Sequence, residues 1–278
     1  MLKEEVDETK VDNTRAAKSH EFYELSGYLE AQEIMGDDFF GLDEVENALG
    51  YTLDRSSTPG IPFTREELEQ ARANNEFLIL YASHSTHNEP ITMQRLNLNS
   101  KPATTPGAGK ILYDTSWYKD EEFFTSEHPR LGWKLVTKDV IPDSISKDYF
   151  NQTQTIVDNL QGLATIPPEY EEAFSEWDDQ KAEINGLMLT NWQEAARRLE
   201  ALKVNDMFRQ TPVEALYANL VYSQIKGQRL MEGTYTWTNT PSSNGSLVFV
   251  GGFDSGGAGV YNWEPDDADD DVGVALSR

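Results

Sequence analysis

From Glu232 to Arg278 the apolar residues recur at the spacing of strands, and this stretch limits the architectures open to the chain. Single apolar residues (Val248, Val250, Phe253, Val260, Trp263, Val272, Val274) stand between glycine turns and runs of Ser, Asn, Asp and Tyr. Apolar side chains at that spacing hold a sheet, and the residues between them face outward. YTW (235–237), SLVFV (246–250), GVYNW (259–263) and VGVAL (272–276) read as short antiparallel strands joined by Gly, Ser and Asp turns. Just upstream, TPVEALYANLVYSQIKG (211–227) predicts a helix. Thr211 caps it, Pro212 takes its first position, Glu214 completes a capping box and Gly227 ends it. Leu216, Leu220 and Val221 make its core stripe, with Tyr217 beside them.

Residues 1–35 mix Glu, Asp and Lys, and Ser19 to Met35 predicts a helix with Phe22, Leu25, Tyr28 and Leu29 on one face. It either docks on the body or extends as an arm. Leu42, Val45 and Leu49, closed by Gly50, give a second stripe, and Thr64 with Glu67 opens a third helix through a capping box. FLILY (77–81) has the density of a buried strand, and GWKLVTKDV (132–140) alternates like a half-buried one. These two are expected in one sheet, separated by an irregular Pro- and Gly-rich stretch at 99–110. Residues 151–161 predict one helix and 191–203 another, with Trp192, Ala195, Ala196 and Leu199 inward. The sum is an α+β chain. A mostly helical extension or small domain spans 1–74, and a body with two main helices and short antiparallel strands spans 75–278.

Charge removes one class of function. Forty-eight acidic residues against twenty-three basic ones give a formal charge of -25, a field that repels phosphate backbones, so no nucleic-acid partner is expected. A salt-rich habitat is a second source of such acidity. With no cysteine, disulfides, thiolate metal sites and cysteine nucleophiles are all excluded. No apolar run approaches the roughly eighteen residues of a membrane span, so no membrane insertion is expected. The start, MLKEEVDETK, lacks the apolar run of a signal peptide, which leaves the compartment open, virion and cell surface included.

TPVEALY followed by GQRL, TYTWT and a glycine-rich stretch ending DVGVALSR resembles the C-type lectin fold in its formylglycine-generating/sulfatase-modifying subtype. Within it, the chain is similar to the variable proteins of diversity-generating retroelements. The likeness covers 75–278, is most specific at 210–278, and takes in the strands at 77–81 and 132–140. It implies a non-catalytic display protein whose region 238–271 is diversified to recognise a protein or cell-surface target. It also implies a scaffold of Trp237, Gly251, Val260, Trp263, Gly273, Val274 and Arg278. The implied variable, ligand-binding positions are Phe249, Asp254, Ser255, Tyr261, Asn262, Asp266, Asp267, Asp269 and Asp270. A tryptophan codon contains no adenine, so adenine-directed mutagenesis leaves Trp263 fixed while Tyr261 varies.

Each signal also has a plainer reading. Trp237 and Trp263 suit a core, since bulky aromatics anchor thin, loop-rich layers. Tyr261 and Phe249 fit either a core or a contact surface, where they offer rigid area at small entropic cost. EPDDADDD (264–271) offers oxygens for calcium, but it lacks the glycine and closing glutamate of an EF-hand loop. Glu264-Pro265-Asp266 approximates a lectin sugar-site tripeptide at a position away from the usual one. The loop is therefore read as solvated acid that favours a cationic partner, with no metal or cofactor assigned. No HExxH, GxSxG or Walker motif appears, and PGAGK (106–110) misses the phosphate-loop spacing. Asp114, Asp120, Glu121 and Glu122 are carboxylates in search of a cleft, and His84 and His87 lack the other ligands of a zinc site. The remaining alternatives are an assembly protein of a viral particle, its tail packed on a neighbour, and an enzyme of unknown type on this scaffold.

Overall fold

The computed structural model describes residues 26–99 and 109–278. A first helix (α1) occupies 26–35 and buries Ala31, Ile34 and Met35. These three sit at i, i+3 and i+4, the spacing of one helix face. Leu29, expected inward, lies off that face and is 56% exposed. Phe22 and Leu25, and most of the Pro- and Gly-rich stretch, lie outside the described residues.

The chain then enters a three-stranded sheet. Phe39–Phe40 (β1) pairs parallel with Glu76–Tyr81 (β2), and Gly132–Thr137 (β3) runs antiparallel to β2 with Phe77 opposite Val136. The expected pairing of FLILY with WKLV is present. Between β1 and β2 lie Leu42–Leu49 (α2), closed by Gly50 at φ 73°, and Arg65–Ala73 (α3), opened by the Thr64/Glu67 capping box. Met93–Asn99 (α4) and Glu122–Thr125 (α5) lead into β3.

A run of helices follows: Tyr149–Leu160 (α6), Pro168–Met188 (α7), Trp192–Ala201 (α8), Lys203–Phe208 (α9) and Pro212–Lys226 (α10). Helix α7, whose 21 residues make it longer than the helices expected from the sequence, is not among those expected. Its buried set (Tyr170, Ala173, Phe174, Trp177, Ile184, Met188) is interrupted by acidic residues and skips the six residues 178–183, so no continuous stripe shows. Helix α10 carries the expected caps but has more than a core stripe: Pro212 to Ser223 are all buried. It runs between layers, with Tyr222 against Phe40 and Phe77.

The carboxyl-terminal sheet has the order β6-β5-β4-β7, formed by Gly259–Trp263, Leu247–Gly251, Tyr235–Pro241 and Val272–Gly273 respectively. β4, β5 and β6 are antiparallel as expected, whereas β7 pairs parallel with β4. Strand β7 is also shorter than VGVAL, because the chain leaves this sheet after Gly273 and runs along β3. There Leu135 and Arg278 exchange backbone hydrogen bonds of 2.9 and 3.0 Å, and Thr137 N–H donates to Leu276 O at 3.0 Å.

The protein is thus α+β with two small mixed sheets. Two apolar clusters share it. One joins residues 31–71, β2 and α10 to Val248, Val250 and Val260, so residues 31–71 share their core with the body. The other joins α6, α7, α8 and α9 to Trp237, Leu247 and Phe249. Strand β5 divides them, its alternate side chains entering opposite clusters as the pleat requires. Among the described residues, no helix is long and apolar enough to cross a membrane.

Candidate functional site

Strand β6 lies at the end of its sheet, and it carries the aromatic part of the carboxyl-terminal face. Tyr261 sits opposite Phe249 in the register, with ring centroids 5.6 Å apart, and its ring also meets Tyr235 at 5.8 Å. The residue as a whole remains 42% exposed. Asn262, on the opposite face of the strand, is half-buried. Beside β6, the Trp117 indole N–H donates to Val260 O at 2.9 Å, and residues 111–113 exchange backbone hydrogen bonds with Ala258. Those contacts occupy part of the free edge that an end strand otherwise presents.

Two loops extend the face. Asp254 and Ser255 are exposed in the β5–β6 turn, where the Asp254 carboxylate accepts from the Gly256 N–H at 2.6 Å. Gly257, at φ 99°, lies so near the chain at 112–113 that an added Cβ would come within 2.7 Å of Leu112 C. The turn is therefore held by backbone while its side chains stay in water. In 264–271, Asp266, Asp267, Asp269 and Asp270 are exposed. That loop is anchored at three places: Tyr149 N–H to Pro265 O at 3.1 Å, Ser146 N–H to Asp269 O at 3.0 Å, and Tyr235 N–H to Asp271 O at 2.8 Å.

Of the nine residues expected to point outward, Phe249 does not. It is 2% exposed, enclosed by Trp237 at 5.0 Å and Trp263 at 4.5 Å. The reason is strand order: β5 has a neighbour on each side and a cluster on each face, so none of its side chains reaches water. The residues implied to be scaffold are mostly interior. Trp237, Gly251, Val260, Gly273, Val274 and Arg278 are buried, whereas Trp263 is only half-buried, its ring closing over Phe249 at the rim. Gly251 and Gly273 are tight approaches. A Cβ at Gly251 would lie 2.2 Å from Thr234 O, and one at Gly273 2.7 Å from Ser144 Oγ. Arg278 pairs with Glu76 at 3.1 Å in the interior, where burial raises the carboxyl despite the guanidinium's opposing pull.

The metal candidates resolve differently. Among the described residues, the one convergent set of three or more possible ligands is Asp269, Asp270 and Asp271. Burial, then Asp269 and Asp270, raise the Asp271 carboxyl. Three exposed or half-exposed acids supply only part of the roughly six to eight oxygens that calcium takes. His84 meets His128 edge-on at 4.7 Å, and burial together with that neighbour lowers its pKa.

A cavity of about 810 Å³ is bounded by 117–134, 200–214, the end of β4 with the β4–β5 turn, and Ser277. Asp120, Glu121 and Glu122, which the sequence singled out without a cleft, are on its wall, whereas Asp114 is not. They are joined there by Glu127, Lys134 and Glu200, which the sequence did not single out, and by Glu214, marked in the sequence only as a helix cap. Burial and the nearby Glu214 push the Glu127 carboxyl up to about 7, and burial lowers Lys134. Such displacement marks desolvated charge, common both in binding sites and in structural networks. No family model matches the chain, and neither a curated protein nor a solved structure matches it.

Proposed function

We propose that this protein is a non-catalytic recognition module on a C-type lectin-like scaffold. Its region 238–271 would be diversified by a retroelement to bind a protein or cell-surface target. The observation that carries this reading is a division of labour within one short stretch. Trp237, Gly251, Val260, Gly273 and Val274 are interior, while Tyr261 and the acidic and polar residues of two backbone-anchored loops face water. Side chains held this way can change identity at small cost, since surface substitutions away from caps and glycines typically move stability by under about 0.5 kcal/mol. The α+β layering and the small carboxyl-terminal sheet support the scaffold. Tyr261 would supply rigid contact area, and the 264–271 loop would favour a cationic target surface with salt-sensitive binding.

Two measurements test it. A gene encoding a diversified protein has a nearby near-copy of its 3′ end that differs only at adenines, and a gene neighbourhood without one would end the retroelement part. For the scaffold part, a combined variant with Asp254, Ser255, Tyr261, Asn262, Asp266, Asp267, Asp269 and Asp270 all replaced by alanine is expected to fold. Its melting should stay close to wild type, whereas Trp237→Ala should lose about 3–5 kcal/mol from a filled core. Equal loss of folding in both would remove the division of labour.

A further inference from the structure

Strand β3 carries a lysine whose charge the chain leaves without a partner. Alternation along the strand turns Trp133 to one face, where its indole N–H donates to Pro59 O at 2.9 Å, and Lys134 to the other. There Lys134 is half-buried on the wall of the 810 Å³ cavity, a volume in the range of small-molecule sites. It makes no hydrogen bond or ion pair with any described residue, although seven carboxylates line the same cavity. The other half-buried lysines among the described residues are engaged. Lys138 meets Asp38 at 2.8 Å, Lys147 donates to Thr155 Oγ1 at 2.9 Å, Lys181 meets Asp178 at 2.6 Å, and Lys226 lies over the Phe40 ring at 6.0 Å. The acids whose field Lys134 feels are held by other donors. Asp206 accepts from Arg130 at 3.1 and 2.5 Å, and Glu214 from the Thr211 and Arg130 N–H groups at 3.0 and 3.3 Å.

Burial lowers the Lys134 pKa and the Arg130 guanidinium adds to it, against the opposing pull of Glu214 and Asp206. Desolvation and a cationic neighbour are two ways in which a protein makes a lysine amine nucleophilic. The amine also has a firm base: β3 lies between β2, where Ile79 stands opposite Lys134, and the chain at 276–278, which Leu135 and Thr137 bind through backbone hydrogen bonds. Glu127, with its carboxyl at about 7, is an acid on the same cavity that still holds protons near neutrality. The seven carboxylates repel an anionic ligand, and Trp117 and Phe123 add aromatic surface to the wall.

We propose that Lys134 is a covalent capture site whose amine forms an imine with an uncharged aldehyde admitted to the cavity. The nitrogen lone pair closes on the carbonyl carbon while the carbonyl π pair moves to oxygen, and a proton passes from nitrogen to oxygen to give a neutral carbinolamine. Glu127 then protonates the hydroxyl. The C–O bond breaks, water leaves, and the nitrogen lone pair forms the C=N bond of a protonated imine. One water is released per imine and nothing is oxidised or reduced. Glu214 and Asp206 balance the positive charge of the imine as they do that of the ammonium. The step uses no residue of region 238–271 and does not depend on the function proposed for that region.

The test incubates the full chain with limiting benzaldehyde and sodium cyanoborohydride, which reduces an imine to a stable secondary amine, and maps the adducts by mass spectrometry of peptides. Lys134 is expected to label at least roughly tenfold faster than the exposed Lys110 and Lys119, the gain in free amine that one unit of pKa gives. Lys134→Arg keeps the positive charge and should lose that adduct, with circular dichroism checking that the variant folds. Glu127→Gln should slow labelling of Lys134 and leave that of Lys119 unchanged. Labelling of Lys134 no faster than the exposed lysines, or at an unchanged rate in Glu127→Gln, would overturn the proposal. So would a stable adduct on Lys134 that forms without the reductant.

Discussion

At Glu127 a single side chain ties the fold to pH. Burial and the Glu214 carboxylate raise it from the ordinary range to about 7, with Arg130 opposing. The folded state therefore holds a proton that the unfolded chain releases near 4.5. The resulting stability is fully present below that unfolded value and is lost as pH rises through about 7. Glu127→Gln, which cannot ionise, should be more stable than the wild type at pH 8 by roughly 2–3 kcal/mol and no more stable at pH 4. Thermal melts at the two pH values measure this, and an equal gain at both would show that charge is not the cause. Tyr261 and Phe249 show what one residue in isolation cannot reveal. Both are aromatic and both lie in short apolar strands, yet one is 42% and the other 2% exposed. The difference is a neighbour on one side of β6 against a neighbour on both sides of β5, and strand order is not written in either segment.

Helix α10 shows how much of an element is local. Its start and stop were legible because each device acts within a few residues. Glu214 N–H donates to Thr211 Oγ1 at 3.4 Å, Thr211 N–H donates to the Glu214 carboxylate at 3.0 Å, and Gly227 closes the end at φ 66°. Thr211→Ala is expected to cost about 1 kcal/mol in denaturant unfolding, the usual loss for an N-cap. A loss under a few tenths would mean that burial alone holds the first turn. Burial around the whole of α10 could not be read from its own residues. It comes from partners at Phe40 and Phe77 on one side and from the β4–β5 sheet on another, segments far away in the chain. Helix α7 is the converse: its stripe is broken by acidic residues, so only packing against α8 and α9 reveals it.

Across the whole molecule, long-range ties bind the two apolar clusters. Strand β5 feeds both, and the last residues return to β3 through backbone pairing and the buried Arg278–Glu76 contact. Neither cluster can be exposed without losing that shared strand, so differential scanning calorimetry should show one cooperative transition, its van't Hoff and calorimetric enthalpies agreeing. Two separated transitions would mean that residues 26–74 with β2 and α10 unfold apart from the α6–α9 cluster. The order of residues alone was enough for the α+β class, the capping boxes, the strand pair 77–81 with 132–140 and the polar character of the tail loops, because propensity, capping and turn chemistry act over a few positions. The parallel return of β7, the burial of Phe249, the half-exposure of Trp263 and the gathering of Glu127, Glu200 and Glu214 around one cavity were settled only by tertiary packing. Each depends on which distant segments become neighbours, and local pattern carries no record of that.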